Sequence, residues 1–520
     1  MDEEPAARRA LAGAAGALVA VACFALGLAT LGDNGITWDE PESYRAGAQN
    51  LRLVAAALSG RPLPPWPWHA LPGYQFAADT VRAALATAAN RLFWQPGSPL
   101  GFQLVNLGLA ALAVGATARL AMREGNARWL GPLAATLLVL QPKLVAHAQA
   151  NPKDVVALLT WCVAALAVAR AARSGRTLDF ALLGVALGVA LASHVSAVLL
   201  APFAVVWVLA AGSAGVARRA VGLAVAGGVA LAVTLLLWPW LWPAPWERAL
   251  VLFERVRAFD VPMRVLYLGR VYGPAELPWH YGLVSLAIAT PVPHLVAAAL
   301  GLVAAARGGA SARLCRFAAL WLALFVVADL AAPARYDGAR HFLPALPALA
   351  LLAAGGIHGA AAALSSSSRG RRALVALSGA LAASLLFVAV ELAAIHPYAD
   401  AFLSLPARLW LGPEAQHEVE LEYWGGSYKE GAAWLRAHAE PGSFVLVPMG
   451  PHAAQPFLDG FRLVPHDAWC DGSRPQYLML MTREAWYSPR LSAIATTQAP
   501  LHSVRRQGST LLSIYRVSPP

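Results

Sequence analysis

The feature that most constrains this chain is a series of apolar segments, each about 17–25 residues long, that recurs from the N-terminus to roughly residue 395. As a helix, a segment of that length crosses the ~30 Å of hydrocarbon in a lipid bilayer. The sequence therefore predicts an all-α polytopic membrane protein with about eleven transmembrane helices. The predicted spans are 10–31, 100–120, 129–147, 154–171, 178–193, 195–212, 219–238, 283–306, 317–332, 342–362 and 373–395.

Composition supports this class and excludes others. Of the 520 residues, 58% are hydrophobic and 13% are charged, whereas ordinary soluble domains have about 45–50% and about 25%. A soluble globular enzyme and a disordered chain are both excluded. The net charge of +11 comes almost entirely from arginine. Because no basic tail or aromatic–basic motif accompanies it, this charge predicts contact with membrane lipids rather than with nucleic acid.

Short loops rich in arginine predict the orientation of the chain. They all lie on one side if residues 178–212 form two spans that meet at Ser193 and His194. A single long span there would reverse the side of everything that follows. The positive-inside rule favours two spans and a cytoplasmic N-terminus. The extracytoplasmic parts are then the loops 32–99, 239–282 and 333–341 and the tail from residue 396.

Two domains are predicted, a membrane domain over residues 1–395 and a small extracytoplasmic α/β domain over 396–520. The elements predicted in the tail are a polar helix near 427–439 and strands at 444–448, 477–481 and 511–517. In the first outer loop, residues 41–95 predict helices that lie on the membrane surface, interrupted by a turn at 61–65.

Two carboxylates, Asp39 and Glu40, stand where the chain leaves the first span. A carboxylate at the membrane surface can take a proton from an attacking hydroxyl, or can bind a divalent metal together with a second acid. The spacing from Thr37 to Glu40 also fits a capping box, with Ile36 as the preceding apolar residue. Both interpretations stay open, because a capping Glu40 would fix the orientation of a catalytic Asp39.

A second candidate site lies between the third and fourth spans, in the sequence HAQANPKD at 147–154. Asn151 is a preferred N-cap and Pro152 a preferred first helical residue, so Lys153 and Asp154 fall in the first turn of the fourth span. Free backbone N–H groups, the helix dipole and the lysine together predict a phosphate site at head-group depth. Alternatively, Asp154 complements the dipole and Lys153 extends toward the interface.

Arginines in two further outer loops are candidates for binding phosphate. The segment 335–341 places Arg340 and His341 before the tenth span, where a guanidinium can bind a phosphate in forked geometry. The loop at 239–282 adds Arg270. Arginines at the end of a span also anchor it to lipid phosphates. The tryptophans near residue 240 fit an aromatic belt or a stacking platform for a sugar or isoprenoid.

The sequence contains no Walker loop, dinucleotide-binding turn, zinc-ligand spacing or nucleophile elbow. Nothing therefore points to a nucleotide. An enzyme at the outer face of a membrane, where nucleotides are absent, needs an activated donor that is itself attached to a lipid.

Several motifs together resemble the polyprenyl-phosphate-dependent glycosyltransferases of the GT-C fold. The resemblance is to the bacterial branch related to protein O-mannosyltransferases and to the aminoarabinose transferase of lipid A. Its motifs are the Asp39–Glu40 pair, AHAQANPKD at 146–154, LPWHY at 277–281, RHFLP at 340–344 and YWGGSYKE at 423–430. The similarity extends over nearly the whole chain.

This resemblance implies an inverting transfer of one sugar from a polyprenyl-phosphate donor to an acceptor hydroxyl at the outer face of a bacterial inner membrane. It implies that Asp39 is the catalytic base with Glu40 beside it, and that Asp154 is a second catalytic acid. Asp39 and Asp154 are expected to converge beside a cationic pocket and are candidates to hold a divalent cation, Mg or Mn. The residues expected to bind the donor phosphate are Lys153, Arg340, Arg270 and His341.

The expected partners are the lipid-linked donor, membrane lipids, and a lipid, glycan or protein acceptor. Two alternatives stay open. A transporter or flippase of lipid-linked sugars would carry ionisable residues deep within its spans, where only Asp329 and Glu391 come close. A catalytically inactive relative would serve as a scaffold, although all the acidic positions are retained.

Overall fold

A computed structural model describes residues 3–62, 75–258, 263–365, 367–464 and 475–517. Within these ranges the chain is mostly helical, with a small sheet near the C-terminus, as predicted. The helices of the first 395 residues are α1 (Glu3–Ala29), α2 (Glu40–Leu58), α3 (Phe76–Phe93), α4 (Pro99–Gly125), α5 (Leu130–Val139), α6 (Pro142–Ala150), α7 (Asp154–Ser174), α8 (Thr177–Leu191), α9 (Leu200–Ala211), α10 (Val216–Leu237), α11 (Pro245–Ala258), α12 (Tyr281–Ile288), α13 (Val292–Arg307), α14 (Ala312–Ala331), α15 (Leu346–Leu364) and α16 (Ser368–Ile395).

Each predicted span overlaps a helix or a helix pair, but the number eleven is not confirmed. Among the described residues, six helices are long and apolar enough to cross a membrane by themselves. The pair α5 and α6 would be a seventh span, although its two halves are bent by 71°. Shorter apolar helices cover the remaining segments, at Ala14–Ala29, Thr177–Leu191, Val195–Ala211 and Val292–Arg307.

The bend between α5 and α6 has a local cause. Pro142 is the first residue of α6, and Gln141 before it is extended, with φ −81° and ψ 117°. Proline lacks the N–H group that would continue the ladder of α5, and it disfavours helical geometry at the preceding residue. The predicted continuous span at 129–147 is therefore a broken helix. Its second half ends directly beside the turn that starts α7.

The ambiguous stretch at 178–212 is also broken. Helix α8 ends at Leu191, a 3₁₀ turn covers Val195–Leu199, and α9 follows. His194 lies between them in extended geometry, with φ −159° and ψ 141°. Two separate helical elements therefore meet where the sequence predicted a junction. His194, which lies in this junction, contacts the first residue of the neighbouring helix α7.

The two surface helices predicted in the first outer loop correspond to α2 and α3. Residues 63–65 of the turn predicted between them lie outside the described residues. Within the predicted outer loop at 239–282, a two-stranded hairpin of β1 (Val265–Tyr267) and β2 (Arg270–Tyr272) precedes α12. A second 3₁₀ segment, Gly338–Ala345, leads into α15.

The C-terminal region forms a mixed five-stranded sheet with strand order β4-β3-β5-β7-β6. Its strands are β3 (Phe444–Leu446), β4 (Arg462–Val464), β5 (Tyr477–Met481), β6 (His502–Arg506) and β7 (Ser509–Arg516), and its helices are α17 (Leu405–Leu411), α18 (Tyr428–His438), α19 (Pro451–Ala454) and α20 (Pro489–Thr497). The predicted helix and the three predicted strands are confirmed as α18, β3, β5 and β7.

Two apolar cores hold the molecule together. The larger core is built from α4, α5, α7, α14 and α15 and is rich in alanine and leucine. The second core lies beneath the sheet and includes residues from the hairpin, from α12 and from the last turns of α16. Because the second core spans both parts of the chain, it seats the C-terminal sheet directly on one end of the helix bundle.

Candidate active site

Arg340 lies at the centre of a charged cluster at the end of the bundle that faces the sheet. Its guanidinium contacts three carboxylates: Nη2 is 3.1 Å from Asp39 Oδ2, Nε is 2.8 Å from Asp154 Oδ2, and Nη1 is 2.8 Å from Asp337 Oδ2. These acids come from three separate loops. The predicted convergence of Asp39 and Asp154 is therefore present in the fold.

Lys153 lies at the open edge of the same cluster. Its Nζ is 3.3 Å from Asp39 Oδ1. The side chains of Lys153 and Asp39 are 27% and 17% exposed, whereas that of Asp154 is 4% exposed. A substrate that approaches the cluster would therefore meet Lys153 and Asp39 first.

Asp39 is held in its charged form by its neighbours. Burial alone would raise the pKa of this carboxyl group, but the positive charges of Arg340 and Lys153 outweigh burial and lower the pKa below its usual value. Asp39 is therefore a carboxylate at neutral pH, able to accept a proton. Loss of either cation would raise the pKa of Asp39 and make it a stronger base.

Asn151 shapes the turn that presents Lys153 and Asp154. Its Oδ1 accepts hydrogen bonds of 2.9 Å from the backbone N–H groups of both residues, as the predicted cap requires. Its Nδ2 donates to Asp154 Oδ2 at 2.6 Å and lies 2.7 Å from His147 Nδ1. The side chain of Asp154 is therefore fixed from three directions, because His194 Nε2 also lies 3.2 Å from its Oδ1.

Glu40 does not join this cluster, although it follows Asp39 in the chain. Its carboxylate is fully buried and turns the other way, where Oε2 accepts from Thr37 N at 3.1 Å and Oε1 accepts from Gln103 at 3.5 Å. This is one half of the capping box, since the Thr37 hydroxyl donates instead to Ala150 O at 2.9 Å. Burial raises the pKa of Glu40 to about 8.

Two residues of the C-terminal region, Trp424 and Arg483, complete the site. The guanidinium carbon of Arg340 lies 5.1 Å from the ring centre of Trp424, which places the cation over the aromatic face. Arg483, which is buried, donates to Asp337 Oδ1 at 3.2 Å and to the carbonyl of Tyr423 at 3.1 Å. Lys153, Arg340 and Arg483 face three aspartates, and Glu420 Oε1 also lies 3.5 Å from Arg483 Nε. The pocket therefore has no surplus of positive charge, and the expectation of a cationic pocket was wrong.

Of the two other predicted phosphate ligands, Arg270 lies away from the cluster, whereas His341 lies close enough to Asp154 for their charges to interact. Arg270 is exposed on strand β2 of the hairpin and makes no recorded contact with the cluster among the described residues. His341 is exposed beside Arg340, and its ring packs edge-on against Tyr336 at 4.7 Å. Four residues of the site were not predicted as such: His194, Asp337, Trp424 and Arg483.

The residues present do not favour a divalent cation between Asp39 and Asp154. The guanidinium of Arg340 bridges these two carboxylates, so a metal ion would have to displace it. Within the described ranges, no three side chains of His, Cys, Asp or Glu come together as a metal site. We derive no step of the chemistry through a metal.

A large apolar groove opens on the side of the bundle. Its volume is about 1140 Å³, and its walls come from α13, α15 and α16. Phe402 lines one end of this groove and also a small cavity of about 40 Å³ that reaches Gly338 and Ala339, next to Arg340. Phe402 is thus shared by the apolar groove and by the cavity next to the charged cluster.

The tryptophans near residue 240 divide into two pairs. Trp238 and Trp240 are buried with Leu241 in a small apolar cluster. Trp242 and Trp246 are exposed, as expected for an aromatic belt. The two near-intramembrane acids are both paired, Asp329 with Arg335 and Glu391 with Arg408.

A search of curated proteins gave no match. Among solved structures, the chain is similar to arabinofuranosyltransferase AftD from mycobacteria, with 17% identity and a TM-score of 0.40. The alignment covers 98% of this chain and 40% of that one, so this chain spans about two fifths of the length of AftD.

Residues 99–240 match the family model of dolichyl-phosphate-mannose-protein mannosyltransferases. The matched segment contains Asn151, Lys153, Asp154 and His194, which form one wall of the charged cluster. Together with the long apolar helices, the match supports a multi-pass membrane protein. The resemblance drawn from the motifs is confirmed by this match: over residues 99–240 the chain is similar to the dolichyl-phosphate-mannose-protein mannosyltransferases.

Proposed function

We propose that this protein is an integral-membrane inverting glycosyltransferase that moves a sugar from a polyprenyl-phosphate donor to an acceptor hydroxyl at the outer face of the membrane. The observation that carries the proposal is the shared guanidinium of Arg340, which binds Asp39 and Asp154 from separate loops while Lys153 lies at the open edge. A base and two cations thereby border one accessible space.

In this mechanism, Asp39 removes the proton from the acceptor hydroxyl. The acceptor oxygen then forms a bond to the anomeric carbon of the sugar, and the bond from that carbon to the phosphate oxygen breaks. Polyprenyl phosphate leaves with the bonding electrons, and its growing negative charge is stabilised by Lys153 and Arg340 in a poorly solvated site. The proton ends on Asp39.

The contact between Lys153 and Asp39 orders the steps of this mechanism, because the donor binds before the base reaches its full strength. While Lys153 pairs with Asp39, it lowers the pKa of the base. A donor phosphate that draws Lys153 away would raise that pKa and so strengthen the base when the donor is present. In this exchange the phosphate replaces the Asp39 carboxylate as the partner of Lys153.

The apolar groove beside α16 supports a donor that is attached to a lipid. Its walls suit an isoprenoid chain, and Phe402 connects it to the cavity next to Arg340. Asp154 and His194 have the role of holding Arg340 in place. Glu40, turned away from the cluster, is assigned to positioning the start of α2.

The test is sugar transfer by purified protein from a synthetic polyprenyl-phosphate donor in lipid nanodiscs. We expect Asp39→Asn to lower the rate by roughly 10²–10⁴-fold, the usual contribution of a general base. Asp33→Asn is the matched control, because Asp33 lies in the same loop, is half exposed and pairs with His396 instead. Undiminished transfer by folded Asp39→Asn protein would refute the proposed role of the base.

A second arm of the test addresses the phosphate. Lys153→Ala should weaken binding of the donor more than binding of the acceptor, because the lysine contacts the phosphate and not the acceptor hydroxyl. The opposite pattern would remove Lys153 from the donor site.

A further inference from the structure

The far end of the helix bundle carries a second charged cluster, which the proposed chemistry does not use. Helix α7 begins at Asp154 in the candidate active site and ends at Ser174. At about 1.5 Å per residue, Arg170 and Arg173 lie roughly 24 and 29 Å from Asp154 along this helix. That separation is close to the ~30 Å thickness of the hydrocarbon core, so the second cluster lies at the opposite membrane interface.

Glu124 is the centre of this second cluster. Its side chain is fully buried near the end of α4, and its two oxygens receive Arg173 Nε and Arg313 Nε at 2.8 Å each. Arg173 Nη2 also donates to the carbonyl of Arg123 at 2.6 Å. The buried acid thus fixes the ends of α4, α7 and α14 together and orients two guanidinium groups at one place.

The cluster holds more positive charge than its acids neutralise. It contains six arginines and two carboxylates, so four positive charges are in surplus; the members are Arg119, Arg123, Arg170, Arg173, Arg176, Arg313, Glu124 and Asp179. Arg119 and Arg123 are one turn apart on α4. Arg119 and Arg176, which pair with neither acid, are exposed and Arg123 is half-buried, so the surplus charge faces outward.

The exposed residues next to these arginines are those expected beside a bound phospholipid. Two turns deeper on the same face of α4 as Arg119, Leu112 is exposed. Two turns deeper on the same face of α7 as Arg170, Val163 is exposed. On both helices an outward-facing arginine therefore follows an outward-facing apolar residue, which places hydrocarbon below and phosphate at the level of the guanidinium groups.

We propose that this second cluster is a binding site for an anionic phospholipid, with its phosphate on Arg119 and Arg123 and its acyl chains along the apolar faces below. Basic sites between helix ends bind anionic head groups in this way. The buried Glu124 keeps Arg173 and Arg313 as a fixed rim and leaves the surplus arginines for the lipid. The site is separate from the candidate active site and does not depend on the reaction assigned there.

The experiment compares lipids on the full-length protein in nanodiscs. Phosphatidylglycerol should raise the midpoint of thermal unfolding above its value in phosphatidylcholine, and native mass spectrometry should show the anionic lipid retained. Millimolar inorganic phosphate added to the phosphatidylcholine sample should give no shift. A shift with phosphate alone would instead assign the site to a soluble anion, and equal midpoints in the two lipids would overturn the proposal.

Charge-removing variants then locate the site. Each arginine near an anionic surface contributes roughly fivefold in affinity, so R119Q/R123Q should weaken retention of phosphatidylglycerol by roughly 20–30-fold. The matched control is R369Q/R371Q, which removes the same charge from the N-terminal turn of α16. An equal loss in the control would show that only overall charge matters and would overturn the site. The lipid comparison on unaltered protein remains decisive if the variant does not fold.

Discussion

At the scale of single residues, Asp39 and Glu40 are neighbours in the chain whose side chains have different environments. Asp39 faces two cations, which lower its pKa, whereas burial raises the pKa of Glu40 to about 8. The capping spacing correctly placed Glu40 at the start of a helix. It could not separate a catalytic acid from a buried positioning acid, because that difference depends on Gln103, from another helix.

Substitution of Glu40 tests its buried position. Its pKa rises from about 4.5 in the unfolded chain to about 8 in the fold, so the folded state holds a proton that the unfolded state loses between these values. The stabilisation that this group contributes is therefore fully present below pH 4.5. It is lost as the pH rises toward 8, and the free energy of unfolding falls by roughly 3–5 kcal/mol. Glu40→Gln should flatten this fall, measured as the unfolding midpoint at pH 5 and pH 8.

The control for Glu40 is Glu42→Gln, an exposed carboxylate on the same helix. It should keep the pH dependence of the unaltered protein. If Glu40→Gln lost stability between pH 5 and pH 8 as steeply as the unaltered protein does, the buried carboxyl group would not be the cause.

At the scale of elements, breaks in the apolar helices build the site. Pro142 breaks the third predicted span, and the junction at His194 separates α8 from α9. Hydropathy predicts that apolar helices exist, but it averages over windows and does not detect a bend within one. The second half of the first broken span, α6, ends just before the turn of Asp154, and His194 in the second break contacts Asp154 directly. His194 was therefore missed because its position depends on an interrupted helix.

The loop between α1 and α2 offers a prediction at this scale. A Cβ atom at Gly35 would lie 2.3 Å from the carbonyl oxygen of Gly426, and Trp38 N donates to Trp424 O at 2.9 Å. Gly35→Ala must therefore push the loop away from the C-terminal region and displace Asp39. We expect a loss of about 1–3 kcal/mol in stability and a fall in transfer of roughly 10²-fold for a shift of about 1 Å.

Gly426→Ala is the control for this close contact. A Cβ atom at Gly426 meets no atom within 4 Å, so this variant should keep both stability and transfer. Comparable losses in the two variants would mean that helical or turn propensity, rather than contact between the loop and the C-terminal region, explains the effect of Gly35→Ala.

At the scale of the whole molecule, the C-terminal region is part of the site rather than an appendage. The composition and strand patterns of the tail were readable from the sequence, and β5 was placed at its observed bounds. The contacts of Trp424 with Arg340 and of Arg483 with Asp337 could not be predicted from the sequence. Contacts between distant parts of a chain leave no periodic signal. Arg340, whose position at the end of a span also fits a membrane anchor in sequence, becomes part of a network that the tail covers.

This coupling can be tested at Arg483, which joins the tail to the membrane domain through Asp337. Removing one partner of a buried ion pair typically costs about 3–5 kcal/mol. Here Asp337 would keep Arg340 as a partner, whereas the buried Glu420, 3.5 Å from Arg483 Nε, would lose the charge of Arg483. Arg483→Gln should therefore loosen the tail, measured as faster limited proteolysis near residue 396, and should lower sugar transfer. Arg505→Gln is the control, since that exposed arginine on β6 donates only within its own hairpin, to Gly508 O at 2.7 Å. If Arg483→Gln left the tail resistant to proteolysis and transfer intact, Asp337 and Arg340 would be held in place without Arg483. Any effect of the C-terminal region on the reaction would then act through Trp424.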